Sequence, residues 1–334
     1  MKKPSVNQDP DLEAHSTRII ERHLAHRPRA RKMWELLTGD PEVKAGWRMA
    51  NYVAATKLGM NDHGQTHATV ATASALTMLD LLEGSPFCPD IITGKFGDRD
   101  DAALVVLAAT LCHDLGNTVH REEHADLGVV LAMPVLDRLL PAIYENPGQR
   151  TVIRSFILSA MYTHHGVPRP LTIEAALVCI ADSTDMTRGR GRAAFESGSI
   201  TIHSVSALAI EKVGIKKGVE KPIELVIHMS SSAGIFQVQE ILAPKVRAGP
   251  LADAVEVIAV TDERSHAAGQ TIVSGIRMQG TKFVPQKNSG DGHARPPLKK
   301  EKVTRAASCL FATGGPPPAQ FRLFYRWRGA GAYR

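Results

Sequence analysis

The run Ala102-Ala103-Leu104-Val105-Val106-Leu107-Ala108-Ala109-Thr110-Leu111-Cys112 leads, without a charge, into His113-Asp114. A stretch this long and apolar reads as a core helix and is too short to span a bilayer. The doublet at its end offers an imidazole nitrogen and a carboxylate to one small volume. A carboxylate buried there is costly unless a cation or hydrogen-bond donors compensate it. A metal ion is the natural compensation, so the remaining ligands are sought elsewhere in the chain. Adjacent helical residues point about 100° apart, so the two side chains converge on one ion only near a helix end, or if Asp114 bridges two ions. Gly116-Asn117 supplies that end, because glycine is favoured just past a helix C-terminus.

Two further segments carry suitable groups. Upstream, Asp62-His63-Gly64-Gln65-Thr66-His67 opens an Ala- and Thr-rich helical stretch. Downstream, Ala176-Leu177-Val178-Cys179-Ile180-Ala181 leads into Asp182. Three helices of a bundle can bring such distant groups to one point. Two imidazoles and two carboxylates form a mixed nitrogen–oxygen site that suits a divalent transition metal: Mn, Fe, Co, Ni or Zn.

This ordered pattern, His67 before an apolar helix, then His113-Asp114, then Ile180-Ala181-Asp182, resembles the HD-domain superfamily of metal-dependent phosphohydrolases over roughly residues 46–192. The resemblance implies that His67, His113, Asp114 and Asp182 bind the metal. Some members of the superfamily hold two metals, with extra histidines between the doublet and the final aspartate. Here His120 or His124, together with His164 or His165, would take that part. His165 and Asp182 are 17 residues apart, short for the family, so one ion is the base expectation and a second the alternative.

Further residues are assigned around this core. His63 lies one helical turn before His67 and is expected to touch substrate, as is Asn117. Asp185 is expected to cap the helix or orient a ligand. His120-Arg121-Glu122-Glu123-His124 matches the H-x-x-E-H pattern of inverted zinc proteases. The segment is charged and follows Gly116-Asn117-Thr118, so it reads instead as a solvated first helical turn. Arg188 and Arg190, set among glycines just after the last ligand, are expected to hold a phosphate bidentately.

The resulting functional reading is hydrolysis of a phosphoester, a nucleotide or related phosphorylated small molecule, by a metal-activated water. His120, His124 or His164 would donate the proton to the leaving oxygen. Two alternatives stand beside it: a di-iron oxygenase on the same fold, and a non-catalytic module in which the metal is structural.

The chain has 334 residues, 43% of them hydrophobic, and a net charge of +6. That charge belongs to the C-terminus, where residues 287–334 hold ten Lys and Arg against two Asp and Glu. The body is therefore slightly acidic, and a nucleic-acid role is expected only of the basic tail. No apolar run is long enough for a membrane span, and Met1-Lys2-Lys3-Pro4 does not open a secretory signal. Cys88, Cys112, Cys179 and Cys309 form no paired motif and read as reduced thiols of a cytoplasmic protein.

The expected class is α+β: an all-helical HD-type bundle, a small antiparallel β-sheet domain with one helix, and a disordered tail. The boundaries are a helical extension over 1–45, the metal-binding domain over 46–192, the sheet domain over 199–284 and the tail over 285–334. Residues 10–60 read as two helices, followed by helices near 63–83, 100–114, 121–145, 148–164 and 171–186. Val205–Val213, Ile223–Met229, Val255–Val260 and Thr271–Ile276 read as strands, with a helix from Ser230 to Val246 between the second and third. The sheet domain is the expected contact for self-association.

Overall fold

Proline and aspartate punctuate the N-terminal helices. In the computed structural model, which describes residues 10–187, 202–261, 275–280 and 282–285, they run α1 (Pro10–His23), α2 (Pro28–Gly39) and α3 (Pro41–Asn51). There are three helices before residue 60, not two, because Pro28 and Pro41 each start a helix at its first turn, where no amide hydrogen is needed. Asp40 caps α3 by accepting from the amides of Glu42 and Val43 at 2.9 and 3.0 Å. A π-helical turn, Tyr52–Lys57, follows α3.

Next come α4 (Gln65–Leu81), the short α5 (Asp90–Thr93), α6 (Arg99–Cys112), α7 (His124–Leu139), α8 (Pro147–Tyr162) and α9 (Ile173–Thr184). α6 is the hub. Every residue from Asp101 to Cys112 is buried, so it is covered on all sides. Its apolar residues allow this at no polar cost, since the backbone groups are satisfied within the helix. Its start is fixed by a capping box between Asp98 and Asp101. Its end leaves carbonyls without helical partners, and Trp47 of α3 donates its indole N–H to one of them, Leu111, at 2.8 Å.

Beyond the bundle lie α10 (Ile202–Leu208) and a five-stranded sheet: β1 (Ile210–Lys217), β2 (Ile223–Met229), β3 (Val255–Thr261), β4 (Gly275–Gln279) and β5 (Lys282–Pro285) in that spatial order. The strand expected over Val205–Val213 is thus divided. Its first part is the end of α10, and pairing with β2 begins only at Ile210. The sheet is mostly antiparallel, but β2 and β3 run parallel. Between them stand a π-helical segment, Gln237–Leu242, and α11 (Ala243–Ala248), a helical crossover of the kind a parallel pair requires. Ile223, Leu225, Ile227, Val255, Val257 and Ala259 turn one face of the sheet inward, and together with Val238, Leu242 and Val246 they join the core that also contains α6. The described helices and sheet belong to one compact unit. No helix among the described residues is long and apolar enough to cross a membrane.

Candidate metal centre

His67 stands in the first turn of α4, which is tied down from several sides. Asp62 accepts from the His67 amide at 3.1 Å, Asn51 from the His63 amide at 3.2 Å, and Glu13 from the side chains of Gln65 and Thr66 at 2.8 Å each. Two turns along, the Thr72 and Thr110 hydroxyls meet at 2.9 Å and set the register of α4 against α6. That register brings His67 opposite His113.

The doublet sits where the helix ends, as its geometry demands. His113 closes α6 in helical conformation, while Asp114 leaves it (φ −97°, ψ 4°) and opens a 3-10 turn over Leu115–Thr118. Gly116 acts differently from the left-handed stop that the sequence suggested. It lies inside that turn, and a Cβ there would collide with the His124 carbonyl. Its bareness lets the start of α7, and with it His124, press against the doublet.

Four side chains converge. His67 Nε2 lies 3.2 Å from His113 Nε2, 3.1 Å from Asp182 Oδ1 and 3.5 Å from Asp114 Oδ2. His113 Nε2 lies 3.4 Å from Asp114 Oδ2 and 3.6 Å from Asp182 Oδ1. The far side of each ring is held: Nδ1 of His113 donates to the Thr110 carbonyl at 2.7 Å, and Nδ1 of His67 to Asp185 at 2.7 Å. With Nδ1 protonated, each neutral imidazole turns a lone pair on Nε2 toward the shared space. Asp114 Oδ2 is buried there without a hydrogen-bond donor. Lone pairs and a bare carboxylate oxygen facing one another call for a cation, so the residues fit a metal ion.

The electrostatics agree. Burial opposes charge on His113, but Asp114 and Asp182 outweigh it and raise its pKa to about 10. The two carboxylates thus favour positive charge in this space. Burial likewise opposes charge on Asp114, yet His113, His63 and His67 hold its carboxyl well below the usual range. For Asp182, burial is outweighed first by Lys245 and then by His113 and His67.

A second group adjoins the first. His124 Nε2 lies 2.8 Å from His165 Nε2 and 3.3 Å from His164 Nε2. Nδ1 of His124 and of His164 donate to the carbonyls of Arg121 and Met161 at 2.7 and 2.6 Å, so these rings also turn Nε2 inward. Burial drives all three histidines toward the neutral form, His165 to about 3. His113, His164 and Asp182 form a further set within ligand range. Asp114 touches both groups. Its Oδ2 faces His67 and His113, while its Oδ1 lies 3.4 Å from His124 Nε2 and accepts from Asn117 Nδ2 at 2.7 Å.

The remaining sequence-expected residues divide. His63 is buried, its ring 5.7 Å from that of His67, and Asn117 is fully buried with its amide spent on Asp114. His120 is exposed, with its Nδ1 accepting from the Glu122 amide, and is not brought to the cluster. Glu123 is exposed in left-handed conformation before α7 begins, so no protease-like helix face forms. Arg188 and Arg190 lie outside the described residues. Two neighbours had no sequence signal. Arg121 reaches His124 Nε2 at 3.1 Å and Asn117 Oδ1 at 3.3 Å, and Lys245 pairs with Asp182.

A family model described as the HD domain matches residues 70–187. An uncharacterized protein of Methanocaldococcus jannaschii is 36% identical over 227 residues, covering 68% of this chain and 87% of its own. The chain belongs to the HD-domain family. Ribonuclease Y of a Nitratiruptor species is 31% identical over 113 residues, covering 33% of this chain. Ribonuclease Y of Helicobacter hepaticus is 28% identical over 131 residues, covering 38% of this chain. These matches span only 19% and 21% of the two ribonucleases. No solved structure gave a significant match. HD domains are typically hydrolytic and bind divalent metals, and the donor groups described above suit such an ion.

Proposed function

We propose that this HD domain hydrolyses a phosphoester with two divalent cations. His67, His113, Asp114 and Asp182 would hold one, and His124, His164 and His165 the other, with Asp114 shared. The observation that carries this reading is the position of Asp114, whose two oxygens face two separate sets of imidazole nitrogens. A cation at such a site polarises a phosphoryl oxygen and lowers the pKa of a bound water.

The chain's own residues supply the rest. Asn117 fixes the Asp114 carboxylate. Arg121, half-buried beside His124, offers a charged, planar donor to phosphate oxygens, and His63 lines the site next to His67. His124 and His164, considered as proton donors on sequence grounds, serve better as ligands because their Nδ1 hydrogens are committed to backbone carbonyls. The phosphoester is a nucleotide or a related phosphorylated molecule, and the ribonuclease Y relatives bring RNA phosphodiesters into the same class. A cytoplasmic setting, where thiols stay reduced, goes with this reading of the four cysteines.

The test is phosphate or alcohol release from a panel of phosphomonoesters and phosphodiesters with Mn, Fe, Co, Ni or Zn restored to metal-free protein. Asp114→Ala should abolish turnover. Retained activity in that variant would overturn the proposal. The histidine-rich shared site also suits two irons, so oxygen consumption by the iron-loaded protein, without phosphoester turnover, would favour the oxygenase reading.

A further inference from the structure

We propose that Lys245, carried on α11 outside the segment that matches the HD model, is a positioning residue of the metal centre: its ammonium takes Oδ2 of Asp182 and so presents Oδ1 alone to the cation. The inference rests on the metal reading above.

Three observations carry it. The two oxygens of Asp182 have different partners: Oδ2 accepts from Lys245 Nζ, while Oδ1 lies 3.1 Å from His67 Nε2 and 3.6 Å from His113 Nε2. Lys245 is 9% exposed, rare for a lysine and costly unless the charge is paired. The approach of α11 is also built in. Gly166, directly after the His164–His165 pair, has φ +84°, and a Cβ there would lie 3.2 Å from Ala248 Cβ and 3.9 Å from Lys245 Cα. Neighbouring Leu242, Ala243 and Val246 are fully buried, so the helix that delivers the ammonium is seated by core packing.

A carboxylate with both oxygens free can bind one ion through both. An ammonium on one oxygen removes that option and fixes the direction of the other. The metal centre is therefore completed by a helix that belongs to the sheet-bearing part of the chain.

Cobalt reports coordination directly, since the visible absorption of Co(II) weakens as its coordination number rises. Metal-free wild-type, Lys245→Met and Lys245→Arg proteins would be titrated with Co(II), with bound metal measured by elemental analysis. The expected result is a loss of absorption per bound ion and a band shift in Lys245→Met, with the wild-type spectrum kept by Lys245→Arg. Should Lys245→Met fail to fold by circular dichroism, Lys245→Gln, which keeps a donor for Oδ2 but no charge, is read in the same way. A folded neutral variant whose spectrum superimposes on wild type would overturn the inference. A wild-type protein that bound no Co(II) would instead overturn the metal reading beneath it.

Discussion

Asp185 shows how one residue acts on the site through another. It does not face the cation space. It accepts the Nδ1 hydrogen of His67 at 2.7 Å, which fixes the tautomer and turns Nε2 inward. Carboxylates behind metal-binding histidines are commonly worth about 10–100-fold in affinity. Asp185→Asn should therefore weaken metal binding by about that factor while leaving the fold intact, measured by competition against a chromophoric chelator. Unchanged affinity would mean that the Thr110-supported His113 and the two aspartates suffice alone. At this scale the sequence was informative where chemistry is unusual. A His–Asp doublet ending an apolar run is hard to explain without a cation, and Asp185 was readable as an orienting group from its place three residues past Asp182. Lys245 and Arg121 were illegible, because a cationic residue in a mixed helix or in a charged turn carries no sign that it will be buried against a carboxylate or beside an imidazole. His165 was legible only as one of two adjacent histidines, since whether one or both turn inward depends on how α8 ends.

Among the elements, α3 links the N-terminal helices to the metal centre. Its Trp47 caps the end of α6 at Leu111, two residues before the doublet, and its own start is Asp40. Asp40 accepts two amide hydrogens and pairs with Arg138 of α7. The hydrogen bond from Arg138 is the main cause that lowers the Asp40 pKa, ahead of burial, which works against it. A carboxyl whose folded pKa lies below its ordinary value of 3.8 contributes stability above that value and loses it as the pH falls through the folded one. Asp40→Ala should cost about 1–2 kcal/mol at pH 7, typical of a lost N-cap. Urea unfolding of both proteins at pH 7 and pH 3 checks the sign: the gap between them should narrow at pH 3, and a constant gap would refute the electrostatic account. The Asp40-Pro41 start was readable because cap chemistry is local. The division of Val205–Val213 into helix and strand was not, since β-branched residues describe a half-buried surface and the partner strand alone decides where pairing begins.

For the molecule as a whole, the core helices deliver their buried histidines, with Asp114 and Asp182, to one place. α4, α6, α7, α8 and α9 each end or begin at the cluster, and α11 reaches it from the sheet-bearing part. Ions held between these helices would tie them together, and metal that binds only the folded chain must stabilise it by mass action. At a free metal concentration about 100 times the dissociation constant, the gain is about 2.7 kcal/mol for one site, several degrees in melting temperature for a unit of this size. The melting temperature should therefore climb with the logarithm of added Mn or Co and fall back with a chelator. Asp114→Ala, lacking the shared ligand, should show a much flatter rise. The His124–His164–His165 group gives the experiment a second use. If both sites fill, the wild-type slope at high metal should approach twice that of a variant lacking His165, because two ions are then released on unfolding. Equal slopes would limit the centre to one ion, and a melting temperature indifferent to metal would leave Asp114 Oδ2 as a buried, uncompensated oxygen that some other partner must satisfy.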